Sequence, residues 1–394
     1  MTIDDSRTIR SRVRYSAMKK IALTLLALLP LLADMATAKP SLALSGPQDY
    51  QVFQRQTRTS GAVSVEGRAE EGSTVEVRVT GQEWKALAVD PKTGEFHASV
   101  ATPAGGWYRL EARLLAGGQA AAEAAVAHVG VGEVFIVAGQ SNSCNYGSEQ
   151  QKPASGKVAS FDGGKWAIAD DPQGGGGGHG GSFMPAFGDA LVERFDVPVA
   201  VAACGIGSTS VRQWLPKGSV MSNQPTTGKL VKQVEPGKWE ATGEPFDALL
   251  KRVAALGPHG FRAILWHQGE SDAGQARAGY PADRQISGKQ YQQFMEQLVH
   301  ASREQAKWEI PWFIAQATYH SETDPADEEF RAAQKALWDN GTALQGPDTD
   351  ALGAEYRAGV HFNPKGLQAH GQVWAKKVGD WLDQVLHEEA AEHP

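Results

Sequence analysis

The chain has 394 residues, with 38 Lys and Arg set against 45 Asp and Glu for a formal net charge of −7. An acidic balance of this kind disfavours nucleic acid or an anionic membrane surface as the partner. The length exceeds what one domain usually holds, so two are expected.

The first segment reads as a signal peptide over residues 1–38. Met18-Lys19-Lys20 supplies a basic start, 21–32 is apolar apart from Thr24 and Pro30, and Ala36-Thr37-Ala38 offers a small-x-small cleavage site. Cleavage after Ala38 starts the mature chain at Lys39 and makes the product periplasmic or secreted, while an over-extended start at 1–17 is left open by the sequence. The apolar run is shorter than the roughly 20 residues of a spanning helix, so no membrane insertion is expected. Losing Arg7, Arg10, Arg12, Arg14, Lys19 and Lys20 but only Asp4, Asp5 and Asp34 leaves the remainder more acidic still. Export favours a bridge between Cys144 and Cys204; two small buried thiols are the alternative, and the sequence leaves both open.

From about 45 to 128 the apolar pattern has period two. Val75, Val77 and Val79 alternate with polar neighbours, as do Tyr108, Leu110, Ala112 and Leu114, with a turn at Asp90-Pro91-Lys92-Thr93-Gly94 between such runs. Short half-buried strands at this spacing predict a small antiparallel, Ig-like β-sandwich. After Gly130 the pattern changes to fully apolar strands at 134–138, 197–204, 261–266 and 310–317. Helical stretches at 183–194, 246–256, 290–307 and 328–339 separate or follow them, and 364–386 closes the chain. Alternating strands and helices predict a parallel-sheet, three-layer α/β domain over 129–390. The glycine run at 173–181 reads as a mobile loop.

Candidate chemistry gathers just past the C-terminal ends of the predicted strands, where open α/β sheets bind ligands. Gly139-Gln140-Ser141-Asn142 follows the first strand, Gly205-Ile206-Gly207-Ser208 the second, and His267-Gln268-Gly269-Glu270 the third. His361 precedes a helix that Asn363 caps and Pro364 begins. An early serine and a late loop histidine suit nucleophilic acyl transfer. Ser141 is the candidate nucleophile, His361 its base and Glu270 the group that orients the base. The Ser141 and Gly207 N–H groups and the Gln268 amide are the candidate oxyanion donors, with no Cβ at 207 to crowd them. Gln140, Asn142, Arg212, Trp214 and His267 are candidate substrate contacts, although Trp214 suits the core equally and His267 suits a structural hydrogen bond. Gly205-x-Gly207-x-x-Ser210 lacks the last glycine of a dinucleotide fingerprint. Gly-x-Ser-x-Gly, a P-loop, His-Glu-x-x-His and paired Cys-x-x-Cys motifs are absent.

The blocks Gly139-Gln140-Ser141-Asn142, Trp266-His267-Gln268-Gly269-Glu270-Ser271-Asp272 and His361-Phe362 resemble those of the SGNH hydrolases. The similarity is to their acetylxylan esterase and sialate O-acetylesterase branch, and it spans about 130–385. The resemblance implies a flavodoxin-like hydrolase domain and removal of O-acetyl groups from oligo- or polysaccharides. It implies neither metal nor organic cofactor, and says nothing of oligomeric state.

One departure bears on mechanism. The family it resembles usually has Asp three residues before the histidine, and here that position is Ala358. Either the site works as a dyad, or Glu270 or Asp350 orients His361. The missing aspartate also keeps open a catalytically silent sugar-binding protein, while a different acyl group, such as feruloyl, would leave the chemistry intact.

Overall fold

The computed structural model describes residues 41–392 apart from 71, 72, 226 and 278. The expected leader therefore lies outside the described residues. In the N-terminal region the strands are β1 (Leu42–Gly46), β2 (Gln51–Gln54), β3 (Ser60–Ala69), β4 (Thr74–Val79), β5 (Lys85–Leu87), β6 (Glu95–Pro103) and β7 (Gly105–Ala116). They lead into β8 (Gln119–Gly139), which is followed by β9 (Val158–Phe161), β10 (Trp166–Ile168) and β11 (Val199–Ala203). A small sheet holds β12 (Val220–Met221), β13 (Val231–Glu235) and β14 (Lys238–Ala241). Then come β15 (Ala263–His267), β16 (Trp312–Gln316), β17 (Leu344–Asp348), β18 (Arg357–Ala358) and β19 (His361–Phe362). The helices are α1 (Met184–Phe195), α2 (Glu244–Leu256), α3 (Glu270–Gln275), α4 (Gly288–Ala306), α5 (Glu328–Asp339) and α6 (Pro364–Glu392).

Alternation does the work in the N-terminal region. Val63 and Val65 on β3 and Val100 on β6 face Val75, Val77 and Val79 on β4 and Leu110, Ala112 and Leu114 on β7 in one shared core. Their polar neighbours point outward, as a period of two requires. The strand that ends this layer does not stop at its edge. The first half of β8 pairs antiparallel with β7, and its second half runs between β11 and β15 as a parallel strand. The boundary read at 128–129 thus falls inside one continuous strand of 21 residues. What changes there is the surroundings: alternating exposure up to His128 gives way to full burial from Val129 onward.

The central sheet has the order β10-β9-β11-β8-β15-β16-β17, parallel except for the edge strand β10. Each apolar strand serves two cores. Val134, Ile136, Ala138, Ile264, Trp266, Trp312 and Ile314 pack on one side with Leu249 of α2, Leu298 of α4 and Phe330 of α5. Phe135, Val137, Val201, Leu265 and Phe313 pack on the other with Phe187 of α1 and Trp374 and Val378 of α6. Helices on both faces explain the continuous apolar runs. Because β8 lies between β11 and β15, chain connections diverge at its C-terminal end, the place where such sheets open a crevice.

Candidate active site

Ser141 begins a single 3₁₀ turn, Ser141–Ser143, two residues past the end of β8. Gly139 makes the exit possible, since its φ is 127° and a Cβ there would lie 2.1 Å from the His267 carbonyl oxygen. The turn is tied down by the Ser143 hydroxyl donating to the Gln140 carbonyl at 2.6 Å and by the Gln140 N–H donating to His267 O at 3.0 Å. The Gln140 side chain accepts from the Ser271 N–H at 3.0 Å, which staples the start of α3 to the turn. Neither the Ser141 N–H nor the Gly207 N–H has an acceptor among the described residues.

His361 arrives from the far end of the chain. It starts β19, which pairs with β18 to form a short hairpin. Two bonds bind that hairpin to the serine loop: Asn142 Nδ2 donates to Val360 O at 3.2 Å, and the Ser148 N–H donates to Phe362 O at 3.1 Å. The His361 ring lies 5.5 Å from the Tyr146 ring and tilts 31° to it. The Ser141 hydroxyl and the His361 ring have no hydrogen-bond partner among the described residues, so both remain available to a substrate. Burial lowers the His361 pKa, Glu270 opposes that and Arg357 adds to it. The net lowering keeps the ring neutral near pH 7, the state a general base needs.

Arg357 holds the hairpin from beneath. Its guanidinium donates to Thr349 O, Leu352 O and Val360 O at 2.7, 2.9 and 3.0 Å and stacks 3.7 Å from the centre of the Phe362 ring. Burial lowers its pKa to about 10, which leaves it cationic at neutral pH.

Glu270 contacts the serine turn through Asn142 and the end of β15 through His267. Its Oε1 accepts from Asn142 Nδ2 at 2.9 Å and lies 3.2 Å from His267 Nε2, whereas the buried Oε2 has no partner. Burial alone would raise the Glu270 pKa, but His267 and Asn142 outweigh it and bring the value down to about 2. Asp350 is engaged elsewhere. It accepts from the Thr318 N–H and hydroxyl, the Tyr319 N–H and Arg331 Nη1, all within 3.0 Å.

Across residues 131–380 the sequence matches the family described as carbohydrate esterase, sialic acid-specific acetylesterase. The chain belongs to this family of carbohydrate acetylesterases. None of the curated proteins matches it in sequence. Among solved structures it is similar in fold to XAC1771, a carbohydrate acetylesterase from Xanthomonas citri, at 17% identity and a TM-score of 0.52 over 85% of this chain and 73% of that one. Weaker matches include NanS, at 16% identity and a TM-score of 0.39 over 65% of this chain and 98% of that one. Another is a mutant of Axe2, an acetyl-xylooligosaccharide esterase from Geobacillus, at 14% identity and a TM-score of 0.39 over 64% and 95%.

Within this family member, the residues read as substrate contacts are buried, as Ser141 itself is at 5% exposure, and their polar groups are committed to protein partners. Arg212 and Trp214 are fully buried. Arg212 Nη2 donates to Gln275 Oε1 at 2.6 Å and pairs with Asp272 at 3.4 Å, while Trp214 packs edge-on against Trp266. Gln140, Asn142 and His267 are also buried and hold the framework described above. Gln268 is fully buried, and its Nε2 faces Asp272 Oδ2 at 2.8 Å and Thr209 O at 3.1 Å, so both amide hydrogens are engaged. A Cβ at Gly207 would lie 2.5 Å from the Tyr146 hydroxyl, so the glycine makes room for a tyrosine that motif reading overlooked.

Of the two readings open for Cys144 and Cys204, the structure has the pair of buried free thiols, and burial pushes both up to about 12. The expectation of a mobile glycine loop is corrected. The glycine run is laced into its surroundings: Gly177 O accepts from the Asn145 N–H, Gly180 N–H donates to Asn145 O, and Gly181 and Gly147 exchange two bonds. A Cβ at Gly178 or Gly180 would lie 2.2 or 2.1 Å from a neighbouring carbonyl oxygen. These glycines permit close backbone packing rather than looseness. Arg357, His370 and Trp374 also escaped the motif search; the signal for His370 was a polar residue between Leu367 and Trp374 on the apolar face of α6.

Proposed function

We propose that this family member is a serine esterase that removes O-acetyl groups from oligo- or polysaccharides. The supporting observation is the Asn142 bridge to Val360, which joins the serine turn to the histidine hairpin although 218 residues separate them. In the proposed reaction Ser141 Oγ attacks the acetyl carbonyl carbon while His361 takes the hydroxyl proton. The oxyanion is held by the Ser141 and Gly207 N–H groups, which have no acceptor among the described residues. Collapse breaks the ester bond, and His361 returns the proton to the departing sugar oxygen. Water, deprotonated by the same ring, then attacks the acetyl-serine, and the ring passes that proton to the departing Ser141 Oγ as acetate is released.

On this reading residues 1–38 carry the enzyme out of the cytoplasm, and the N-terminal antiparallel layers form an Ig-like accessory sandwich. Among the described residues no helix is long and apolar enough to cross a membrane. The test is acetate release from acetylated xylan, O-acetylated sialic acid, acetylated pectin and an aryl acetate, with Ser141→Ala as control. Serine-dependent release supports the esterase, and the preferred polymer names the sugar. Glycan binding with no release from any of them would replace the esterase by a silent binding protein.

A further inference from the structure

Tyr146 packs its ring against His361, with 5.5 Å between ring centres, yet it stays 36% exposed. Its hydroxyl has no hydrogen-bond partner among the described residues. Partial burial raises the phenol pKa and Cys144 adds to the shift, so the proton stays on the oxygen near pH 7.

The ring is nonetheless held in place. Two glycines from different loops make room for it: a Cβ at Gly207 would lie 2.5 Å from the hydroxyl oxygen, and one at Gly178 would lie 2.8 Å from Cδ2. The backbone on either side is pinned as well. Asn145 is buried, accepts from the Gln173 N–H at 2.7 Å, and donates to Gln173 O and Gly176 O at 3.0 and 3.3 Å. Gly147 exchanges two bonds with Gly181, and the Ser148 N–H donates to Phe362 O in the histidine hairpin. Tyr146 thus sits between the loop that carries Gly207 and the hairpin that carries His361, ordered and with its polar end unsatisfied. A tyrosine already ordered loses little conformational freedom when a ligand binds to it.

The reaction chemistry identifies that ligand. His361 returns a proton to the departing oxygen, so that oxygen comes within about 3 Å of the ring, and the attached sugar lies beside whatever flanks His361. Tyr146 is such a flank. The acetyl methyl offers the phenol nothing to hydrogen-bond, whereas a sugar carries hydroxyls on the carbons next to the esterified one. Sugar C–H groups, polarised by their oxygens, also suit the electron-rich ring. An exposed position fits a bulky glycan that stays at the rim while its acetyl group enters.

We propose that Tyr146 is a substrate-binding residue that holds the departing sugar, its ring against C–H groups and its hydroxyl on a sugar hydroxyl near the scissile oxygen. The assignment rests on the esterase reading, so binding and turnover are measured apart. Calorimetry on the Ser141→Ala chain reads the affinity for acetylated xylo-oligosaccharide and for O-acetylated sialic acid. Adding Tyr146→Phe, which removes one oxygen and keeps the ring, should weaken the tighter of the two about threefold to tenfold. Adding Tyr146→Ala instead should weaken it by about tenfold or more. In the chain that keeps Ser141, Tyr146→Phe should raise KM for that sugar more than it lowers kcat. Its loss of kcat/KM on ethyl acetate, which carries no sugar, should be at least about threefold smaller.

A fall in kcat at constant KM, equal on both esters, would overturn the sugar contact and move the hydroxyl's role to the oxyanion. A Tyr146→Ala chain that gains activity on butyrate esters would overturn it in favour of a wall that limits the acyl group. Unchanged affinity in both variants, or no saturable binding of either sugar, would overturn it outright. Sugar binding that depends on Tyr146, in a chain that hydrolyses no ester, would instead remove the esterase reading and leave the sugar contact standing.

Discussion

Ala358 and His361 face each other across a two-residue turn, Gly359-Val360, as a register pair of the β18–β19 hairpin. Paired residues on adjacent antiparallel strands put their side chains on one face. The position where the SGNH resemblance leads one to expect an aspartate is thus opposite the histidine ring, and here it bears only an exposed methyl group. No carboxylate hydrogen-bonds to His361 among the described residues; the carboxylates of Glu270 and Asp350 are engaged by other donors.

Restoring that carboxylate should be visible in pH dependence. In Ala358→Asp a negative charge beside His361 favours its protonated form and raises its pKa. The acidic limb of the kcat/KM profile should move to higher pH by about half a pH unit, damped by solvent at this exposed position. An unmoved limb would mean that residue 358 does not reach the ring.

Ser141→Ala should reduce ester hydrolysis by at least about a thousandfold while the thermal midpoint stays near that of wild type. The hydroxyl has no partner among the described residues, so its loss leaves no buried group unsatisfied.

Glu270→Gln and Asp350→Asn should separate activity from stability. The first removes the anion from beside His267 and loosens the hold on the His361 hairpin, so turnover should fall much further than in the second. Asp350 ties Thr318, Tyr319 and Arg331 together, and its amide variant should mainly lower the unfolding midpoint. Steady-state kinetics alongside thermal unfolding give the ranking; the reverse order would move the orienting role to Asp350.

Acid should destabilise the fold through Glu270 in a defined window. Its pKa is about 2 in the folded protein against 4.5 for an ordinary glutamate, so the unfolded chain takes up the proton first as pH falls. The contribution is complete above about 4.5 and disappears as pH drops toward 2. Denaturant titrations across that range should show a steeper decline for wild type than for Glu270→Gln.

Gly207→Ala should displace Tyr146, because the new methyl carbon would meet the tyrosine hydroxyl at 2.5 Å. A loss of about tenfold in kcat/KM is expected, with partial recovery when Tyr146→Ala is added. Absence of coupling between the two changes would show that the tyrosine yields without cost.

Both thiols should resist alkylation in the native state and react once the protein is unfolded, since burial suppresses the thiolate. Mass spectrometry of alkylated native and denatured samples reads this directly. A mass two hydrogens light before reduction would instead report a bridge.

Much of this arrangement was legible in the chain because the signals are local. The apolar runs around Phe135, Val201, Leu265 and Phe313 announce strands buried on both faces, and Asn363-Pro364 marks the start of α6, where the Gly366 N–H indeed donates to Asn363 Oδ1 at 2.9 Å. The strand β17 was missed because Leu344-Gln345-Gly346-Pro347-Asp348 has little β propensity, and only its place at the sheet edge tolerates the proline. Continuity of β8 was missed because burial changes along it while its backbone does not break.

The sequence by itself determined which residue types stand at the strand ends, since apolar period and turn chemistry act over a few neighbours. Tertiary structure alone decided which of them keep a polar group without a protein partner among the described residues and which are hydrogen-bonded into the interior. Arg212, Trp214 and Gln268 look like site residues by position, yet packing from α3 and the neighbouring strands seals them inside. Likewise the partners of Glu270 come from residues 142 and 267, and its link to the 360s runs through an asparagine. Hydrogen-bond commitments depend on distances between segments far apart in the chain, and no local pattern encodes them.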